Sequence, residues 1–294
     1  MSDYKLTCCS TADLSAGEYK SRGIEWVPFH VEINGKEYLD DRKDISIEDF
    51  YGLEREGAFA RTSQVNEEQY KEMWEPFLKD GLDILHLTLS SGISGTINSA
   101  NLAADELRDK YPDRKLYVVD SLCASSGYGL FMLYLADLRD RGKSLDELRD
   151  WAIANRLKMN HWFFASDLKS FVRGGRISAA SGAIGTLLGI CPLLNVNNEG
   201  KLIPRAKIRT KKKVIEEIVK RMAELADDGL NYSGMCTICH SDCASDAEQV
   251  RLLVEKRFPQ LQGKVKMCRI GTVIGAHTGT GTVALFFMGK ERGE

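Results

Sequence analysis

Apolar and polar positions along the chain follow two rhythms. Short runs rich in β-branched and aromatic residues, "KLTCC", "WVPFHVEI", "ILHLTLS", "KLYVVDS", "HWFFAS", "CPLLNVN", "GMCTICHS", "KVKMCRI" and "VALFFMG", read as strands. Between many of them, "SIEDFYGLEREG", "NEEQYKEMWEPFLKDG", "SLDELRDWAIANRL" and "KKKVIEEIVKRMAELADDG" repeat apolar residues at helical spacing. Ser46, Asn66 and Ser144 stand as N-cap candidates with Asp, Glu or Gln behind them. Strand followed by helix, repeated, predicts an α/β fold with a largely parallel sheet. At 294 residues the chain is long enough for two domains, each with its own core. The division is placed before "HWFFAS", giving 1–159 and 160–294.

The stretch "LHLTLSSGISGTINSA", Leu85 to Ala100, runs a strand into a small-residue turn and then a helix. Free backbone N–H groups and hydroxyls there favour an anion at the helix start. It is not a GxxxxGK[ST] phosphate loop, since Thr96, Ile97 and Asn98 follow Gly95 and no Lys does. It is not a G-x-S-x-G elbow either, because Gly95 directly follows Ser94. In open sheets ligands gather at the carboxyl ends of strands. Four turns are rich in small polar groups: "CCSTADLS", "ARTSQVN", "SSGISGT" and "IGAHTGTGT". Taken singly, each has a plain structural explanation as cap, turn former or core histidine.

Charge changes the picture little. With 40 Lys and Arg against 42 Asp and Glu, nothing in the bulk balance points to nucleic acid. "MSDYKLTCCSTADL" contains no apolar signal region, and "YGLFMLYLADL" is too short to span a bilayer, so a cytoplasmic protein is expected. Eight cysteines without a secretion signal are expected to stay reduced. Cys236, Cys239 and His240 spell C-x-x-C-H, and Cys243 follows. Because "GMCTICHS" reads as a buried strand, side chains three apart point to opposite faces, and structural thiols are preferred over a haem or zinc site. No metal and no cofactor are expected.

Taken together, "STADL", "RTSQ", "SSGISGTINSA", "FVRGGRIS" and "IGTVIGAHTGTGTVALFF" resemble the motif set of the DegV family, in that family's order across nearly the whole chain. The resemblance implies two α/β domains with a fatty acid buried in an apolar tunnel between them. It implies a carboxylate held by Thr62, Ser94 and His277, with Ser63, Gly95, Thr96 and Thr278 beside them. It also implies a non-catalytic lipid carrier that presents the fatty acid to a partner kinase for conversion to acyl phosphate. Burying about 14 methylenes is worth on the order of 11 kcal/mol before ordering costs, so the tail supplies affinity and the head must find hydrogen-bond donors. Hydroxyls of Thr62 and Ser94, the N–H of Gly95 or Thr96 and an imidazole proton of His277 are suited to pair the carboxylate oxygens.

The segment "SAASGAIGTLLGICPLLNV" offers Ile184, Leu187 and Leu188 as a wall for the tail, or equally as ordinary core. The basic run "RAKIRTKKK" and "RGGR" read as a solvated face, as a surface attracted to anionic membrane, or, by the resemblance, as the kinase-docking side with Arg176 and Arg209. The protein is taken as a monomer. Three departures from the family pattern stand out: Cys8, Cys9 and Ser10 where Thr-Asp-Ser is usual, Thr280 in place of a proline, and Thr210 after Arg209 in place of glycine. The first leaves Asp13 as the nearby carboxylate. Two other function classes remain: a Ser94/His277 esterase or acyltransferase, and a binding module for another small anion.

Overall fold

A computed structural model of the chain describes residues 4–182 and 189–293. The described strands are β1 (Tyr4–Cys9), β2 (Ile24–Val27), β3 (His30–Ile33), β4 (Lys36–Leu39), β5 (Ala60–Ser63), β6 (Asp83–Thr88), β7 (Leu116–Asp120), β8 (Met159–Phe164), β9 (Ile190–Val196), β10 (Leu202–Arg209), β11 (Cys236–His240), β12 (Lys266–Arg269) and β13 (Val283–Met288). They form three sheets. One is fully parallel, in the order β2-β1-β6-β7. A small antiparallel sheet runs β4-β3-β5. The third is mixed, in the order β10-β9-β8-β13-β11-β12, and of its pairs the β11–β12 pair is parallel and the others antiparallel.

The sequence pattern locates the strands of the parallel sheet and most of the mixed one. "WVPFHVEI" is not one strand but two: the chain breaks at Pro28, which has no N–H for a ladder, and β2 and β3 enter different sheets. The polar stretch "ARTSQVN" is not wholly a turn, because Ala60–Ser63 pairs along β3. The first part of the basic run is β10, an edge strand whose burial alternates along its second half. Parallel pairing dominates the first sheet alone.

The expected caps are present. Ser46 accepts from the backbone of Asp49, while Asn66 with Gln69 and Ser144 with Glu147 form complete capping boxes. The apolar helix Ser125–Asp140 is buried along most of its length and packs against β8, β11 and β13. No helix among the described residues is long and apolar enough to cross a membrane.

Strand β11 is buried throughout, and Cys236 and Cys239 lie three apart on it, on opposite faces. Among the described residues no cluster of three His, Cys, Asp or Glu side chains forms a metal site. Burial pushes the Cys9 thiol up to about 12; its sulfur lies 3.2 Å from the Tyr70 hydroxyl.

Candidate functional site

Where the small antiparallel sheet, the turn after β6 and the mixed sheet meet, they enclose an apolar cavity with about 740 Å³ of empty space, its mouth included. Its walls are built by alternation. On β8, His161 and Phe163 face the cavity; on β13, Ala284 and Phe286 do; Val196 of β9 and Leu202 of β10 close one side. The short helix Thr272–Thr278 contributes Val273, Ile274 and His277. The expected wall residues Ile184, Leu187 and Leu188 lie outside the described residues.

Polar groups gather at one part of this lining. Thr62 comes from β5, and its position beside Val31 of β3 fixes which way it faces. The Thr62 hydroxyl lies 2.7 Å from His277 Nε2, and Arg176 Nη1 lies 3.3 Å from His277 Nδ1. A guanidinium only donates, so Nδ1 is the acceptor and the proton sits on Nε2, which donates to the Thr62 oxygen. The Thr62 proton is then not spent on His277. Burial, reinforced by Arg176, lowers His277 to about 4, which keeps the ring neutral at pH 7. Gly174 makes this packing possible: a β-carbon there would sit 2.3 Å from His277 Nδ1.

Ser94 lines the same part of the cavity. Its amide bonds the Ser90 carbonyl at 3.1 Å, and its hydroxyl accepts the Thr96 N–H at 3.3 Å, leaving the hydroxyl proton free. Ser94 and His277 share no hydrogen bond, and Nε2 is already a donor to Thr62, so a Ser–His nucleophilic pair is not assembled. The turn is anchored to the mixed sheet: Ser90 Oγ donates to Gly200 O at 2.8 Å, and a β-carbon on Gly92 would meet Glu199 O at 2.5 Å.

The structure brings together Thr62, Ser94, His277 and Thr278, all on the cavity wall. It does not bring in Ser63, which is exposed on the other face of β5, or Gly95, which is also exposed. The Thr96 side chain is buried away from the cavity, 2.7 Å from the Tyr70 hydroxyl. Arg209 is exposed at the end of β10. Arg176, expected at a docking surface, lines the cavity; its Nε donates to Ile93 O at 3.1 Å and its Nη1 to Gly174 O at 2.6 Å. It has no carboxylate partner among the described residues.

Asp13 is fully inside the junction. Its carboxylate accepts from Ser125 Oγ at 2.5 Å and from the Gly271 N–H at 2.9 Å, while Asp40 accepts from Thr272 Oγ1 at 2.7 Å. Two buried carboxylates therefore hold the N-terminus of the helix that carries His277. Burial raises Asp13 to about 7, against the pull of Arg42 and the two hydrogen bonds, and also raises Asp40. Sequence reasoning passed over Phe163, Phe171, Val273, Ile274 and Phe286 as cavity residues. Nothing in an apolar run separates a tunnel wall from a core.

The family model for "Uncharacterised protein, DegV family" matches residues 5–290. The DegV domain-containing protein CPE0026 of Clostridium perfringens is 37% identical over 297 residues, covering 99% of each chain. Among solved structures, a fatty-acid-binding DegV family protein of Thermus thermophilus superposes with a TM-score of 0.86 at 29% identity, over 97% of this chain and 99% of that one. The fatty acid kinase B3 protein of Streptococcus pneumoniae, loaded with linoleic acid, shares the fold at a TM-score of 0.83 and 21% identity, over 98% and 99% of the two chains. Matched by one family model from near its start to near its end, and alike over its full length to a member of that family, the chain belongs to the DegV family.

Proposed function

We propose that the cavity holds one long-chain fatty acid, tail inward, with its carboxylate at Thr62 and Ser94, and that the loaded protein presents that carboxylate to a partner kinase. The observation that carries this reading is the convergence of two unspent hydroxyl protons, on Thr62 and Ser94, at the polar part of an otherwise apolar cavity. The Thermus thermophilus relative described as fatty-acid-binding supports the ligand class.

The apolar walls take the acyl chain out of water at about 0.8 kcal/mol per methylene. The carboxylate then accepts from Ser94 Oγ–H and from Thr62 Oγ–H. Thr62 is the better donor because His277 bonds its oxygen from behind, and a donor chain of this kind polarises each member. Arg176 spends Nε on the Ile93 carbonyl and Nη1 on the Gly174 carbonyl and His277, and lines the same cavity, where its charge favours an anionic head group. A carboxylate held by hydroxyls keeps a lone pair for in-line attack on the γ-phosphorus of ATP on the kinase; the new carboxylate O–P bond forms as the bond from that phosphorus to the bridging oxygen breaks, giving acyl phosphate and ADP. The protein itself then acts as carrier, with the phosphoryl donor bound elsewhere.

The test of ligand class is release of lipid from variants. Thr62→Val with Ser94→Ala is expected to lose bound fatty acid while keeping its circular dichroism spectrum. Full occupancy in that double variant would contradict the head-group assignment. Transfer is tested by incubating loaded protein with a fatty acid kinase subunit and ATP and trapping acyl phosphate with hydroxylamine. No hydroxamate from a loaded, competent pair would contradict kinase presentation.

A further inference from the structure

A chain of buried polar side chains runs from the Ser94 turn into the core of the parallel sheet, and apart from Ser94 none of them lines the cavity. Thr7 and Cys9 lie two apart on β1 and so share one face of the sheet. His86 of β6 stands directly across from Thr7. Tyr70 and Trp74, one turn apart on the helix Glu67–Lys79, cover that face, and the two rings stack with centroids 4.9 Å apart. These five side chains and Thr96 are fully buried.

Their polar atoms connect in order. Trp74 Nε1 donates to Thr7 Oγ1 at 3.2 Å, and that hydroxyl lies 2.9 Å from His86 Nδ1. His86 Nε2 is 3.9 Å from Cys9 Sγ, which lies 3.2 Å from the Tyr70 hydroxyl. The Tyr70 hydroxyl lies 2.7 Å from Thr96 Oγ1, and the Thr96 N–H donates to Ser94 Oγ at 3.3 Å. With one proton for two neighbours, Tyr70 donates to one of Thr96 and Cys9 and accepts from the other. Burial lowers His86 to about 3, so the ring, like the Cys9 thiol, is uncharged at pH 7. Thr96 opens the helix Thr96–Lys110, and the residue before it, Gly95, supplies no side-chain cap. A helix start without a cap depends on other contacts to hold its first turn, and here the Tyr70 hydroxyl is such a contact.

We infer that Tyr70, seated by Cys9, is a positioning residue for ligand binding: through Thr96 it fixes the Ser94 hydroxyl, and it touches no ligand itself. The inference rests on the reading of Ser94 as a donor to the carboxylate. Without the Tyr70 hydroxyl, the Thr96 side chain loses its partner in a dry core and the first turn of its helix loses an anchor. The N–H that holds Ser94 Oγ then shifts with that turn, and the Ser94 hydroxyl is no longer fixed towards the cavity.

The test measures dissociation of a long-chain fatty acid from the loaded full chain as wild type, Tyr70→Phe, Ser94→Ala and the double variant. Phenylalanine keeps the ring stacked on Trp74, and circular dichroism checks that the fold is retained. Release from Tyr70→Phe is expected to be about fivefold faster, the factor for one ordinary hydrogen bond, and no further acceleration is expected when the change is added to Ser94→Ala. Cys9→Ala is expected to quicken release and Cys9→Ser to keep it near the wild-type rate. Amide exchange at Thr96 is expected to quicken in Tyr70→Phe even without lipid, a local readout that does not depend on ligand. Wild-type release or unchanged Thr96 exchange in Tyr70→Phe, equal acceleration in both backgrounds, or equal rates in Cys9→Ala and Cys9→Ser would each overturn the inference and leave the head-group reading standing. A wild-type rate in Ser94→Ala would overturn both.

Discussion

His277 is the residue on which the geometry of the polar part of the cavity turns. Its ring has a carbonyl-capped guanidinium on one nitrogen and a threonine hydroxyl on the other, so its tautomer is set by its neighbours. Two predictions belong here. A nitrogen-detected titration of His277 should give a midpoint near 4, far below the ordinary histidine value, with the proton on Nε2 at pH 7. A midpoint between 6 and 7 would contradict the buried, arginine-flanked ring. Gly174→Ala should push the ring off Thr62, since the added carbon has a nitrogen at 2.3 Å and the Ser170 carbonyl at 3.1 Å behind it. Fatty acid dissociation should then quicken by about tenfold or more, each factor of ten being about 1.4 kcal/mol, and an unchanged rate would contradict the relay. The sequence singles out Thr62, Ser94 and His277 because their motifs resemble a family's, and all three line the cavity. Arg176 was not legible as a cavity residue, because an arginine in "RGGR" looks the same whether its stem runs outward or folds back over a glycine.

At the scale of elements, the short helix Thr272–Thr278 and the turn after β6 decide whether the site is assembled. The helix start is held by Asp13 and Asp40, loop residues that follow β1 and β4. Asp13 sits at φ 54°, a conformation asparagine tolerates and alanine does not. Asp13→Asn should therefore cost about 1 kcal/mol or less, whereas Asp13→Ala strands the Gly271 N–H and the Ser125 hydroxyl and should cost about 2–4 kcal/mol by denaturant unfolding. The pH dependence follows from the raised Asp13 value. Between about 4 and 7 the folded protein holds a proton there that the unfolded chain releases, so stability from this group is present at low pH and lost as pH rises through 7. Comparing unfolding free energies at pH 5 and pH 8 should show that loss in the wild type and a smaller one in Asp13→Asn; identical slopes would contradict the assignment. The capped helices could be read from sequence, since a Ser or Asn three residues before Glu or Gln is a local signal. β5 could not: Arg61, Thr62 and Ser63 have a turn's composition, and their pairing with β3 is a contact between distant segments. The break at Pro28 was equally hidden, because the apolar pattern continues through it.

For the whole molecule, the junction between the parallel and mixed sheets is where the cavity and close backbone packing meet. Gly92 packs against the backbone of Glu199 and Gly200, so Gly92→Ala should loosen this docking, lower the melting temperature and raise the rate of lipid loss together. A bound lipid stabilises the folded state in proportion to the logarithm of its concentration over its dissociation constant, so delipidated protein should melt at lower temperature and recover on adding fatty acid. The general architecture was visible from strand and helix alternation. The sizes of the sheets and the place of the cavity were not, because the cavity is lined by residues contributed from most of the length of the chain. The most direct measurement is mass spectrometry of the organic-solvent extract of natively purified protein, together with uptake by delipidated protein. The account predicts a long-chain fatty acid near one equivalent, lost in Thr62→Val/Ser94→Ala. An empty cavity that takes up no fatty acid, in a folded wild-type protein, would contradict it.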